Sequence, residues 1–244
     1  MSVSTALKPS PKGLTDLEKR ARRLAMRFTA SDAPEILRHA ITEEFSGGVA
    51  LVSSFGAESA VLLHMASEID KATPVVFLET GKHFAQTLSY RKKLAKKLGL
   101  TNVRDITPNP QALAARDPDG ELWKKDADAC CTLRKVEPLA GALDEFDAWI
   151  TGRKQFHGGG RVNLPAFEAS GPHIKVNPLI RWSPEQIAAY VSEHDLPPHP
   201  LVEQGYPSIG CWPCTHPAAG EDDVRAGRWR GAAKTECGIH TTAI

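Results

Sequence analysis

Apolar residues recur along this chain in two alternating rhythms, and the alternation predicts a fold. Leu17, Ala21, Leu24 and Phe28 fall at helical spacing behind Thr15, which forms a capping box with Glu18 three residues on. A second helix starts at Ser31, with Pro34 in its first turn, and runs to about Phe45. Gly47 and Gly48 end it, and the run Val49-Ala50-Leu51-Val52-Ser53 follows as a strand. Its apolar residues are continuous, as in a strand buried on both faces. After the short loop Ser54-Phe55-Gly56 come an apolar helix over residues 57–69, a strand over 74–78 and an amphipathic helix over 84–98. Shorter strands are predicted at 103–106, 148–151 and 174–176, with helical segments between them. Ser183 caps a last helix, with Pro184 at its first position, that runs to about His194.

Strands of this kind need helices over both faces, so the expected fold is α/β, a doubly wound and mostly parallel sheet. Ligands in such sheets bind at the carboxyl ends of strands, near the point where the strand order reverses. The loops 53–59, 79–84 and 152–161 each follow a predicted strand and are the candidate site. Residues 197–217 are rich in turns, and residues 220–244 are charged, rich in Gly and Ala, and hold few core positions. The expected organisation is a disordered N-terminal tail over 1–14, one α/β domain over 15–219 and a mobile C-terminal tail over 220–244.

Composition narrows the class of function. The chain has 244 residues, of which 41% are hydrophobic and 24% charged, which excludes global disorder. Thirty Lys and Arg against 29 Asp and Glu leave a net charge of +1, too little for a nucleic-acid binder that relies on bulk charge. No apolar run reaches the roughly 18–20 residues that span a bilayer. The N-terminal residues lack the apolar core of a signal peptide. A cytoplasmic chain with neither a nucleic-acid nor a membrane partner is expected.

The five cysteines are the first specific chemistry. Cys130 and Cys131 are adjacent, Cys211 and Cys214 form a CxxC, and Cys237 stands alone near the end. In a reducing compartment such a set points to metal or thiol chemistry. Two pairs of thiolates can hold zinc or an iron–sulfur cluster. Adjacent helical cysteines diverge by about 100°, which suits separate corners of a cluster better than one small ion. The bland alternative is that Cys130 and Cys131 are simply buried apolar residues. Cys237 has Lys234 and His240 nearby, cations that favour a thiolate, although a lone terminal cysteine is more often inert. Arg225, Arg228 and Arg230 are either a solvated face or a phosphate clamp.

The loop over 53–59 joins a buried strand to a helix start, where backbone amides favour an anion and Gly56 permits close approach. An ordinary strand–helix turn is the equal alternative. It has neither the GxxxxGK(S/T) spacing of a Walker loop nor the GxGxxG of dinucleotide folds.

Taken together, Ser54-Phe55-Gly56-Ala57-Glu58, Leu78-Glu79-Thr80-Gly81, Cys130-Cys131-Thr132-Leu133-Arg134-Lys135, Cys211-Trp212-Pro213-Cys214 and Glu236-Cys237-Gly238-Ile239-His240 resemble the assimilatory sulfonucleotide reductases. The subgroup with both cysteine pairs is similar to the thioredoxin-dependent adenylyl-sulfate (APS) reductases. The resemblance implies a PP-loop fold of the adenine nucleotide alpha-hydrolase type. It implies one 4Fe-4S cluster on Cys130, Cys131, Cys211 and Cys214, with Cys237 as nucleophile. The activity it implies is reduction of APS to sulfite and AMP, through a Cys237 S-sulfo intermediate, in sulfate assimilation and cysteine biosynthesis.

Site residues carry over by the same resemblance. Ser53, Ser54, Phe55, Gly56 and Ser59 match the modified PP-loop at the nucleotide, and Leu78 and Thr80 the loop that holds adenosine. Lys135 is implied at the sulfate and cluster side, Gly152 and Arg161 at the phosphosulfate, and Arg225 and Arg228 as a tail pair. Many relatives read G-x-R-R-x-Q-S where this chain has Gly152-Arg153-Lys154-Gln155-Phe156-His157-Gly158, so one cation and a hydroxyl of that pocket are replaced. Amides of Gly158, Gly159 and Gly160 are candidate substitutes for the hydroxyl. No thioredoxin-like segment follows Ile244, which implies an external thioredoxin or glutaredoxin. Reduction of 3′-phosphoadenylyl sulfate (PAPS), alone or beside APS, is the alternative. The oligomeric state, a homo-oligomer included, stays open. An ATP-cleaving RNA-thiolation enzyme of the same fold would need an SGGxDS-type loop, which is absent. A zinc-binding interaction module would leave Cys237 and the nucleotide loops unexplained.

Overall fold

The computed structural model describes residues 14–218, 220–221, 223–230, 234–242 and 244. The tail expected over 1–14 therefore lies, apart from Leu14, outside the described residues.

The strands are β1 (Val49–Val52), β2 (Val75–Leu78), β3 (Val103–Ile106), β4 (Ala148–Ile150), β5 (Phe167–Ser170) and β6 (His173–Val176). They form one sheet in the order β3-β2-β1-β4-β6-β5. Every pairing is parallel except β5 with β6. The doubly wound, mostly parallel α/β sheet is thus present, with an antiparallel edge. β5 was not among the expected strands. It has one large apolar residue, Phe167, and lies at the sheet edge, so it lacks the continuous apolar run of a central strand. Gly171 opens the hairpin turn with φ +57°, and a Cβ there would stand 2.5 Å from the backbone of Ile244.

Both faces of the central strands are buried. Leu51, Phe77 and Ile150 pack into the larger core with Ile36, Leu63 and Leu94. Ala50, Val76 and Trp149 face the smaller one, with Leu139, Leu143, Phe146 and the terminal Ile244. Each such side chain removed from water contributes on the order of 1.5–3 kcal/mol. The helices that cover the sheet begin with α1 (Asp16–Arg27), which has the expected Thr15–Glu18 capping box. α2 (Ala33–Arg38) is capped by Asp32 and continues as a π-helical turn, His39–Glu44. α3 (Ser59–Ile69) and α4 (Ala85–Leu98) follow β1 and β2. The strand order reverses between β1 and β4, because β2 and β3 lie on one side of β1 and β6 and β5 on the other. That reversal opens the crevice where the site sits.

The described part of residues 220–244 folds back on this body. Trp229 and Ile244 are each 5% exposed, so the expectation of few core positions there misses two anchors. No described helix is long and apolar enough to cross a membrane.

Candidate active site

The first wall of the cleft is the turn from β1 to α3. Ser53 Oγ accepts the Phe55 N–H at 3.1 Å, and Phe55 takes a left-handed φ of +49°. A bulky residue there is strained, and such strain persists where the surroundings fix it. Here the Phe55 ring is fully buried and meets Phe77 edge-on at 5.6 Å. The ring is therefore an anchor beneath the loop, while Ser53, Ser54, Gly56 and Ser59 line the cleft, with Leu78 from the end of β2.

The second wall follows β4. Gly152, Arg153, Lys154, His157 and Arg161 line it. Lys154 Nζ donates to Glu58 Oε2 at 2.8 Å and to the Gly152 carbonyl at 3.0 Å. His157 Nε2 lies 3.3 Å from the same Glu58 oxygen. Burial pushes the Glu58 carboxyl up, but the His157 hydrogen bond and the Lys154 charge outweigh it and hold it at about 2. Arg153 forks onto Asn177 Oδ1 and pairs with Glu168. Burial and the Arg161 charge bring Arg153 down to about 10.

The third wall carries sulfur. Asp126 caps the short helix α7 (Ala127–Cys131), following the small helices α5 (Pro110–Arg116) and α6 (Leu122–Lys125). A π-helical turn, Thr132–Val136, continues it before α8 (Glu137–Leu143). Such wide turns often mark functional sites. Arg134 donates to Asp117 Oδ2 and, at 2.7 Å, to the Thr80 carbonyl, which fixes this helix to the loop after β2. Thr80 is fully buried, with its hydroxyl 3.4 Å from Cys211 Sγ. It therefore faces the sulfur side and not the cleft. Beyond α9 (Pro184–Glu193), Cys211 precedes and Cys214 ends a 3₁₀ turn, Trp212–Cys214.

Burial pushes the Cys130 thiol up; the Arg134 charge opposes this, and Cys211 and Cys214 add smaller amounts to it. Burial pulls the Lys135 ammonium down, but the sulfurs of Cys211, Cys237 and Cys131 prevail and push it up. Cys130, Cys131, Cys211 and Cys214 are the soft donors available for a metal. Among the described residues, no three His, Cys, Asp or Glu side chains gather tightly enough for a single ion.

The tail closes the cleft. Cys237 precedes the short α10 (Gly238–Thr241), which packs on the π-helical turn. A Cβ on Gly238 would stand 3.1 Å from Val136 and 3.7 Å from Cys131, so glycine permits this approach. A hydrogen bond from Cys131 holds the Cys237 thiol well below its ordinary value; Lys135 and Arg228 help against burial. Glu236 pairs with Arg161 and Arg225, and these contacts hold its carboxyl at about 2 despite burial. Arg225 and Arg228 also lie over the Trp229 ring, at 5.5 and 4.4 Å. Four buried nitrogens around this one cleft lack a partner: His83 Nδ1, Trp149 Nε1, Arg228 Nε and His240 Nδ1. Buried polar groups are normally satisfied, so this concentration marks a place for a ligand.

Residues 48–217 match the phosphoadenosine phosphosulfate reductase domain. The chain belongs to the phosphoadenosine phosphosulfate reductase family. Among curated relatives, the adenosine 5′-phosphosulfate reductase of Chelativorans sp. (strain BNC1) is 50% identical, over 98% of this chain and 97% of that one. Its counterpart from Mesorhizobium japonicum is 52% identical, over 86% and 83%. The crystal structure of phosphoadenylyl-sulfate (PAPS) reductase from Candida auris, a phosphate complex, superposes with a TM-score of 0.69. It is 29% identical and covers 85% of this chain and 100% of its own.

For this member of the reductase family, the residues expected from the sequence divide into three groups, and Cys130, Cys131 and Cys214 form one that does not line the cleft. Ser53, Ser54, Gly56, Ser59, Leu78, Lys135, Gly152, Arg161, Arg225, Arg228 and Cys237 share the cleft, together with Cys211. Phe55 and Thr80 stand behind it. Sequence reasoning did not single out Glu58, Lys154 and His157 as a linked group, nor Asp117, Trp149, His83 or the Glu236 carboxylate. Glu58 and Glu236 sat inside quoted motifs, and that was the available signal. Lys154, His157, Asp117 and Trp149 act through contacts made across longer stretches of chain, whereas His83 reaches only back to the Leu78 carbonyl.

Proposed function

We propose that this protein reduces adenosine 5′-phosphosulfate to sulfite and AMP with an external dithiol, in sulfate assimilation. The observation that carries this reading is the Cys237 thiol, docked beside Lys135 in a cleft at the strand-order reversal where four buried nitrogens lack partners. The nucleotide belongs against the 53–59 loop and Leu78, with its phosphosulfate toward Lys135, Arg228 and Cys237.

The Cys237 thiolate attacks sulfur, the S–O bond to the phosphate breaks, and its electron pair leaves with AMP. Cys237 then carries an S-sulfo group. A thiolate of reduced thioredoxin or glutaredoxin attacks the Cys237 sulfur and releases sulfite. The second thiol of that partner resolves the mixed disulfide and restores Cys237. Lys135 and Arg228 neutralise the oxygens that gain charge as the S–O bond breaks, an electrostatic contribution that is strongest in a dry site. The Lys135 and Arg228 cations beside Cys237 favour its thiolate, the nucleophilic form.

Cys130, Cys131, Cys211 and Cys214 would hold one 4Fe-4S cluster. The donor chemistry fits, since all four are soft thiols and three of them are buried. Bound there, it would supply a fixed field beside Lys135 and a tie between the two segments.

Release of sulfite from APS and from PAPS, with reduced thioredoxin, tests the reading. APS is expected to turn over much faster. PAPS reduction is the second reading, favoured by the likeness to the Candida auris enzyme. Faster turnover of PAPS would replace the first reading with it.

A further inference from the structure

Glu236 stands in an unusual position for a carboxylate beside a nucleophile. Arg161 grips it with both edges of one fork, Nε to Oε2 at 2.6 Å and Nη2 to Oε1 at 2.8 Å. Arg225 Nη2 reaches Oε1 at 3.3 Å and also holds the Thr235 carbonyl at 3.0 Å. The same Oε1 accepts the backbone N–H of Cys237 at 2.9 Å. Both partners of the fork are largely buried, at 9% and 18% side-chain exposure, so this is not a solvated surface pair.

The contacts continue away from the tail. Arg161 Nη1 lies 3.0 Å from His157 Nδ1, His157 reaches Glu58, and Lys154 holds Glu58. One line of hydrogen-bonded polar side chains therefore runs from the start of α3 to the peptide of the nucleophile. The cleft remains with this line intact, since Glu236, Cys237 and Arg161 all line it. Arg228 meanwhile keeps an unpartnered buried Nε. Of the three arginines expected around the substrate, Arg161 and Arg225 are thus occupied by the tail, and the unsatisfied donor belongs to the third, Arg228.

We propose that Glu236 is a positioning residue, a latch through which Arg161 and Arg225 seat Cys237 over the cleft, while Arg228 and Lys135 are left for the substrate anion. This rests on the reduction proposed above. In the latched state Cys237 is aimed at the bound sulfur. When the fork opens, the thiol or its S-sulfo form is released toward an external dithiol.

The test uses the cluster-loaded full-length protein and three variants, E236Q, R161Q and the double variant R161Q/E236Q. Cys237 alkylation by iodoacetamide without substrate, mapped by peptide mass, reads the latch alone. It should accelerate about tenfold or more in each variant, and the double variant should be no faster than the singles. E236D, which keeps the charge, should recover most of the slow rate. With APS, E236Q should lower kcat about tenfold or more while KM moves less than about twofold. Unchanged alkylation in E236Q overturns the latch. So does a fall in KM, which would make Glu236 a place-holder that competes with substrate for the arginines. If E236Q does not fold, the double variant, which leaves no unpaired charge at position 161, decides by the same alkylation rate. Wild-type protein that makes no sulfite from APS refutes the activity but leaves the alkylation result to judge the latch.

Discussion

The half of the sheet formed by β1, β2 and β3 and the C-terminal segment from Cys211 onward are held by different physics. At β1 and β2 the first is apolar on both faces: Leu51, Val75, Val76 and Phe77 are fully buried between helices. The second has few such residues and is held by charge and sulfur. Its anchor, Trp229, is ringed by Arg225, Arg228 and Lys234, and Lys234 also pairs with Asp128 of the cysteine helix. Arg161 holds Glu236, and Cys237 lies against Cys131. Apolar burial depends little on salt, pH or metal, whereas each tail contact responds to at least one of them. A thiol that must close on a nucleotide and then meet another protein needs the second kind of support.

The largest effect should come from the tail with no effect on the sheet. Cys237→Ser should retain the fold and bind APS, yet form neither adduct nor sulfite, since a neutral hydroxyl is a far weaker nucleophile than a thiolate. Mass spectrometry of the wild type with APS and no reductant should show one SO₃ group on the Cys237 peptide. An adduct on another cysteine would break the assignment.

Next in size is the tie between the halves. Cys211→Ser or Cys214→Ser should lose bound iron and the brown colour, and with them activity. Unfolding should occur at lower denaturant, because two distant segments are no longer joined. A colourless variant at full activity would remove the cluster from the picture.

The comparison can also be sharpened by contrasting one residue from each side. Leu63 is fully buried, and Leu63→Ala should cost about 2–5 kcal/mol of stability by urea unfolding. Arg228→Ala should weaken APS binding, with a cost on the order of 2–5 kcal/mol, and shift unfolding only slightly. A large drop in melting temperature with unchanged APS affinity would make Arg228 part of the body instead.

The two regions differed in legibility for the same reason. Periodicity reports apolar burial, so five of the six strands and the helices around them were readable. β5 was hidden because an edge strand carries no apolar run. The cysteines were readable by spacing alone. The motif around Phe55 named the loop but not the direction of the ring, which depends on the left-handed turn at that residue. The π-helical turn that carries Lys135 breaks the helical period on which such reading relies. The Lys154–Glu58 pair spans 96 positions, and the Arg161–Glu236 pair 75. Charge pairs at such distances leave no local pattern.

The smallest expected effect separates the regions by acid. Glu58 and Glu236 are held at about 2 in the folded protein, against an ordinary value of 4.5. Below the ordinary value the unfolded chain binds protons that the folded carboxylates refuse, so their contribution is complete above about pH 4.5 and falls away toward pH 2. The two shifts correspond to a few kcal/mol at most, on the order of 1–3 for each group. Glu236 holds the tail directly, whereas β1 and β2 carry no titrating side chain. Hydrogen exchange followed from pH 5 to about pH 3 should therefore show the Cys237 amide, which donates to Glu236, losing protection while the amides of β1 and β2 keep theirs. E236Q should remove most of this pH dependence at the tail, because its amide does not titrate in that range. Loss of protection at the same pH in both regions would mean that tail and sheet unfold as one unit, and the distinction drawn between them would fall.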